Sequence, residues 1–136
     1  MVRSGMMTAL ALAAMLAGCG KGPEQPASGT AAAPAVAEAG AKPAAFLACA
    51  TCHSVEPGVI GIGPSLAGVV GRKSGTLPGF NYSDAMKAYG KTWDAAALDT
   101  FLTSPAKAVP GTRMTYMGQS DPAQRKAVID YLATLK

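Results

Sequence analysis

Cys49-Ala50-Thr51-Cys52-His53 is the stretch that decides the reading of this 136-residue chain. Two thiols at this spacing can add across the two vinyl groups of one porphyrin, and the imidazole that follows the second thiol then falls under the iron as an axial ligand. The chemistry needs all three side chains in this register, and the run occurs once. It points to one covalently attached haem c, with Cys49 and Cys52 as the attachment positions and His53 as the first iron ligand.

Other uses of two nearby thiols fit less well. A thioredoxin-like pair belongs after a strand in a βαβ unit, whereas the residues before Cys49, from Ala44 to Ala48, are rich in alanine, a helix former. A structural zinc site takes about four nitrogen or sulfur ligands, and beyond this pentad the chain has only Cys19 and no further histidine. A plain Cys49–Cys52 disulfide is the simplest rival.

Upstream, Arg3 precedes a small, apolar stretch from Met6 to Leu16, followed by Leu16-Ala17-Gly18-Cys19. This is the layout of a secretory signal with small residues before the cut, which places the mature protein outside the cytoplasm; an uncleaved anchor helix is the rival reading. The four residues ending in Cys19 resemble a bacterial lipobox, which implies a signal peptide over residues 1–18 and a lipid on Cys19. Acylation would also account for a third cysteine, since a free thiol in an oxidising compartment invites pairing or oxidation. Gly20 follows, which in bacterial lipoproteins resembles outer-membrane sorting more than inner-membrane retention. Residues 19–42 are mostly Ala, Pro, Gly and Glu, with Pro23, Pro26 and Pro34 and one large apolar residue, Val36. Such a segment buries too little to offset the cost of ordering it, so it is expected to act as a tether.

Residues 43–136 are the candidate domain. Fewer than a hundred residues make a marginal apolar core, and a buried macrocycle would supply the missing volume, so the domain without it is expected to fold poorly. The elements read as helices. Pro43 opens a short one that carries both thiols and closes at His53. Ser83-Asp84 caps another, stopped at Gly90. Thr92 or Asp94 caps Ala95 to Ser104, ended by Pro105, with Leu98, Phe101 and Leu102 on one face. Ser120 or Asp121 caps the last helix, Pro122 takes its first turn, and Val128, Ile129, Leu132 and Leu135 form its buried stripe. Between Gly58 and Gly75, six glycines and Pro64 forbid a long regular element. No strand precedes this loop and no P-loop ending follows it, so it is not a phosphate cradle. The expected class is all-α, with three to five helices around one covalent haem.

If His53 takes one side of an iron, a thioether is the best remaining partner for the other, and Met86, Met114 and Met117 are the choices in the domain. The ordered motifs then decide among them. Cys49-Ala50-Thr51-Cys52-His53 is followed by Gly63-Pro64-Ser65-Leu66, Gly71-Arg72-Lys73-Ser74-Gly75, Pro78-Gly79-Phe80-Asn81-Tyr82-Ser83-Asp84-Ala85, Thr92-Trp93 and Pro110-Gly111-Thr112-Arg113-Met114. In that order they resemble the class I c-type cytochromes, the group of mitochondrial cytochrome c and bacterial cytochromes c2. The resemblance implies Met114 as second iron ligand, Pro64 as carbonyl partner of His53, Tyr82 and Trp93 as propionate donors, and Arg72 as balancing charge. It also exposes departures: Phe101 stands where mitochondrial-type chains carry Tyr, and Met86 and Ser65 where they carry Asn. The first two imply a drier pocket wall beside Met114, with Thr112 the main side-chain donor. Phe46 lies three residues before Cys49 instead of four, which puts its helix-to-helix contact in question.

An iron with both axial positions filled by protein is built for one-electron transfer, so the resemblance implies a carrier and not an enzyme, with no small-molecule substrate. Its implied place is the periplasmic side of a bacterial membrane, between a donor complex or dehydrogenase and a terminal oxidase or reductase. A labile Met114 would instead give a haem-based ligand sensor or weak peroxidase. The formal charge is +4 including Arg3, and Lys73, Lys87, Lys107 and Arg113 could form a basic rim that steers acidic redox partners. Nucleic acid does not suit an exported haem protein.

Overall fold

The structure, a computed structural model, describes residues 41–136. The signal, the Cys19 lipidation site and all but the last two tether residues lie outside the described residues. Five α-helices are present: α1 (Leu47–Ala50), α2 (Asp84–Tyr89), α3 (Ala95–Thr103), α4 (Pro105–Ala108) and α5 (Pro122–Thr134), with a 3₁₀ turn over Ala44–Phe46 leading into α1. The only strand-like pairing among the described residues is an isolated bridge between Lys73 and Thr92. No helix among them is long and apolar enough to cross a membrane.

The caps explain where the helices begin. Ser83 accepts from the Met86 amide to start α2, and Gly90, at φ 65°, ends it in the left-handed conformation. Asp94, not Thr92, starts α3 by accepting from the Ala97 amide at 2.7 Å. Asp121, not Ser120, starts α5 by accepting from the Ala123 and Gln124 amides, with Pro122 in the first turn. Pro105 ends α3 as expected, but it also opens α4, because its fixed φ suits a first helical turn that needs no proline N–H. The first helix is shorter than expected: α1 ends at Ala50, inside the pentad.

Leu98, Phe101 and Leu102 of α3 are buried with Val128, Ile129, Tyr131 and Leu132 of α5. Tyr131 joins the expected stripe, while Leu135 packs against it only partly buried. Phe46 is fully buried and meets Tyr131 edge to face, with ring centroids 4.8 Å apart. The one-residue offset toward Cys49 therefore does not lose the contact between the first helical turn and α5. The tighter 3₁₀ turn places Phe46 before the α-helix proper begins.

The long loop between the pentad and α2 is held without regular structure. Gly71 donates to the Trp93 carbonyl and Trp93 to that of Arg72, both at 2.9 Å, and Ser74 donates to Lys91 at 2.8 Å. The strap between α4 and α5, which carries Met114, is fixed at its far end. There Gln119 donates to the Leu102 carbonyl at 2.8 Å, and Arg125 donates to the carbonyls of Gln119 and Ser120, both at 2.9 Å, and to Asp99 at 2.8 Å. Gly118, at φ 107°, lies so close to the Thr103 carbonyl that a Cβ there would overlap it.

Two substitutions test this arrangement in the haem-loaded protein by guanidinium denaturation. Phe46→Ala should cost about 3 to 5 kcal/mol, the range for truncating a buried phenyl. Gly118→Ala should cost about 1 to 3 kcal/mol through backbone strain and the forced shift of the strap.

Candidate functional site

The elements enclose one large cavity of about 670 Å³, walled mainly by apolar side chains of α3, α5, the pentad, the long loop and the strap. Every site residue of the described region singled out from sequence lines it: Cys49, Cys52, His53, Pro64, Arg72, Tyr82, Trp93, Thr112 and Met114. They come from segments up to 65 positions apart in the chain, from Cys49 to Met114.

The pentad turns sharply at the end of α1. The amides of Cys52 and His53 both donate to the Cys49 carbonyl, at 3.1 and 2.9 Å, which presents the two thiols and the imidazole to one side. Both thiols are free. Burial pushes the Cys49 thiol up from its ordinary pKa, opposed by a backbone hydrogen bond. A redox-active C-x-x-C pair works through the opposite, a lowered pKa and thiolate character. Among the described residues, no three His, Cys, Asp or Glu side chains gather where they could hold a metal.

His53 Nδ1 lies 2.7 Å from the Pro64 carbonyl oxygen. A carbonyl can only accept, so Nδ1 carries the proton and Nε2 keeps its lone pair for a metal. Gly63 sits flat against this ring: a Cβ there would overlap Cε1 and come within 2.6 Å of Nδ1. The loop therefore needs glycine at 63 to let the imidazole lie where the Pro64 carbonyl can orient it.

Of the three candidate thioethers, Met117 is 89 % exposed and does not line the cavity, which removes it. Met86 and Met114 both line it. Met86 is buried in the helical wall on α2, while Met114 is presented by the strap, where Thr112 Oγ1 accepts from the Met114 amide at 3.3 Å. Phe101 and Met86 make the wall beside them apolar, as the departures from the mitochondrial-type pattern imply.

The polar lining lies elsewhere. Arg72 donates to the carbonyls of Ala67 and Ser65, at 3.0 and 2.8 Å, which anchors a cation at the cavity wall. Burial raises the Tyr82 pKa, with the Arg72 charge and the Leu77 backbone pulling the other way. Trp93 is 7 % exposed and packs on Tyr89 and Phe101 with centroids at 5.5 and 5.0 Å, so it is core and cavity wall at once. Ser65, where the family pattern has Asn, is buried and donates to the Glu56 carbonyl at 2.6 Å, closing the loop beneath His53.

Sequence reasoning passed over Tyr116, which lines the cavity two residues beyond Met114, and Ile62, which lines it from the loop after His53. An aromatic two residues after Met114 in the same strap was the available signal for the first. Of the expected basic rim, only Arg113 lines the cavity, with its guanidinium on the Asn81 carbonyl. Lys73, Lys87 and Lys107 are exposed elsewhere, and Lys87 pairs with Asp84 at 3.4 Å.

Two thiols, a correctly protonated imidazole and a thioether around an apolar cavity fit a haem. Left without apolar contents, so large an apolar wall would lose the packing contacts on which the small stability of such a domain depends.

Comparison with known proteins agrees. The family model for cytochrome c matches residues 37–136. Cytochrome c2 iso-2 of Magnetospirillum molischianum is 51 % identical over 94 residues, covering 69 % of this chain and 97 % of that one. Cytochrome c2 of Rhodomicrobium vannielii is 51 % identical over 90 residues, covering 65 % of this chain and 72 % of that one. The solved structure of cytochrome cH from Methylobacterium extorquens is similar at 47 % identity with a TM-score of 0.63, covering 66 % of this chain and 91 % of that one. With the cavity's donors and these likenesses in agreement, the chain belongs to the cytochrome c family, as a monohaem electron carrier and not an enzyme, with one covalent haem c at the Cys49–Cys52 pair.

Proposed function

We propose that this carrier works with His53 and Met114 as the two axial iron ligands, on the periplasmic side of a bacterial membrane to which a lipid on Cys19 ties it. It accepts electrons from a respiratory complex or dehydrogenase and delivers them to a terminal oxidase or reductase. The observation that carries the ligand assignment is the 2.7 Å bond from His53 Nδ1 to the Pro64 carbonyl, which reserves Nε2 for a metal in the cavity that Met114 also lines.

When bound, the haem supplies a one-electron iron couple. The chain's residues set the terms of its use. Cys49 and Cys52 hold the macrocycle covalently, so it is retained in both oxidation states. His53, oriented by Pro64, and Met114, held by the strap, would hold the iron between them and leave no open position for oxygen or peroxide. The neutral thioether and the apolar wall of Phe101, Met86 and Leu98 disfavour extra positive charge, which stabilises the reduced state and moves the couple toward positive potential. Tyr82 and Trp93 offer hydrogen-bond donors, and Arg72 a fixed cation, where propionate carboxylates would otherwise lie unpaired in an apolar pocket.

Pairing of oxidised and reduced absorption spectra tests the ligands. The wild type should show the weak thioether-to-iron band in the far red, and Met114→Ala should lose it while keeping covalent haem. The reduced variant should then bind carbon monoxide, which the wild type should not. Carbon monoxide binding by the wild type would instead favour a ligand sensor or weak peroxidase. The anchor is tested by fractionation: the wild type should sediment with membranes, and Cys19→Ala should move most of the haem-stained protein to the soluble fraction or leave an unprocessed precursor.

A further inference from the structure

A carrier gives up its electron where a partner can come nearest its cofactor, so the rim of the cavity is the surface the function must use. Here that rim is apolar. Ile62 lines the cavity and is 81 % exposed, and the same loop exposes Val59 and Ile60. The loop is pinned beside the second thiol: Gly63 donates to the Cys52 carbonyl at 2.8 Å, and Gly61 donates to the Gly63 carbonyl at 3.1 Å. Ile60 reaches Gly79, where an added Cβ would meet its Cδ1 at 3.3 Å, and the next residue, Phe80, lines the cavity in edge contact with Tyr82. Ile60, Ile62 and Phe80 thus form one apolar side of the rim, and the strap adds Tyr116.

The charges are as informative. Among the described residues, no lysine, aspartate or glutamate lines the cavity. Arg72 is spent on the carbonyls of Ser65 and Ala67, and Arg113 is the only other charged residue there, already bonded to the Asn81 carbonyl. Aromatics and arginine are the residues enriched at docking surfaces, and lysine is depleted there. An acidic partner face would lose hydration against Ile60 and Ile62 and find little positive charge to replace it.

We propose that this rim is an apolar docking surface for a redox partner whose own face is apolar and close to neutral, so that association is driven by burying Ile60, Ile62 and Phe80 and not by lysine steering. The proposal rests on the carrier reading and names the chemistry of the partner. A protein steered by charge would show strong salt dependence, because screening removes the attraction or repulsion between rims.

Electron self-exchange between oxidised and reduced copies of the holoprotein is the test, since a second copy brings the same rim to the encounter. Measured by NMR exchange broadening from low salt to about 0.5 M, the wild-type rate should change less than about threefold. Ile62→Lys should slow the low-salt rate about tenfold and restore a rise with salt, and Ile62→Ser should slow it without adding salt dependence. Lys73→Gln and Lys107→Gln should stay within about twofold of wild type. A wild-type rate that climbs more than about tenfold with salt, or an Ile62→Lys rate equal to wild type, overturns the proposal. Absorption spectra separate the two readings: absence of a reversible oxidised and reduced pair in the wild type overturns the carrier reading and this proposal with it. A reversible pair with salt-steep exchange overturns only the docking surface.

Discussion

An apolar cavity of about 670 Å³ occupies the place where a domain of this size would have its core. Everything around it serves to wall it or to present groups into it. The packed remainder is small: α3 against α5, and Phe46 closing the two ends through Tyr131. That remainder cannot carry an unfilled cavity, because so much apolar wall would lose the packing contacts on which the small stability of such a domain depends. The covalent bonds at Cys49 and Cys52 are thus part of the folding problem as well as of function. A macrocycle that cannot leave is a core that cannot be lost.

The strap shows how the demand is met at the side where a ligand must be presented. Met114 hangs in a segment without regular structure, which alone would be mobile. Its far end is closed by the fit of Gly118 against Thr103, by Gln119 on the Leu102 carbonyl, and by Arg125, which joins two strap carbonyls to Asp99 of α3. The strap is therefore fastened to the same two helices that form the back wall. The His53 side is fastened differently, through one carbonyl, one glycine and Ser65 beneath them. A shift of His53 or Met114 requires breaking contacts well away from the cavity.

Much of this was legible in the sequence because the chemistry of attachment has a rigid spacing. The pentad, the ligand strap and the caps at Ser83, Asp94 and Asp121 are local patterns, and local patterns survive being read one residue at a time. The nine cavity residues chosen from sequence all line it for the same reason: each sits in a short motif whose backbone shape is nearly self-determined. What was not legible depends on contacts across the chain. The 3₁₀ turn that rescues Phe46 is set by where Tyr131 lies, not by Ala44 or Ala45. Pro105 reads as a stop, and only the bend at Ser104 makes it a start as well. That Lys73, Lys87 and Lys107 do not line the cavity has a plainer reason, since net charge carries no information about which face a lysine occupies.

The apolar rim and the tether, both as proposed, belong to one physical design. Long-range steering raises the rate at which freely diffusing partners meet, and its benefit is lost to salt. A carrier confined near a membrane that also holds its partners meets them through effective concentration, set by the length and stiffness of the linker. The segment from 19 to 42, rich in Ala and Pro, has the composition of a semi-extended spacer. Under that confinement a lysine rim adds little to encounter, while apolar contact sets how long the pair stays together. Brief contact is what a carrier needs, because a tightly held partner would block the next electron.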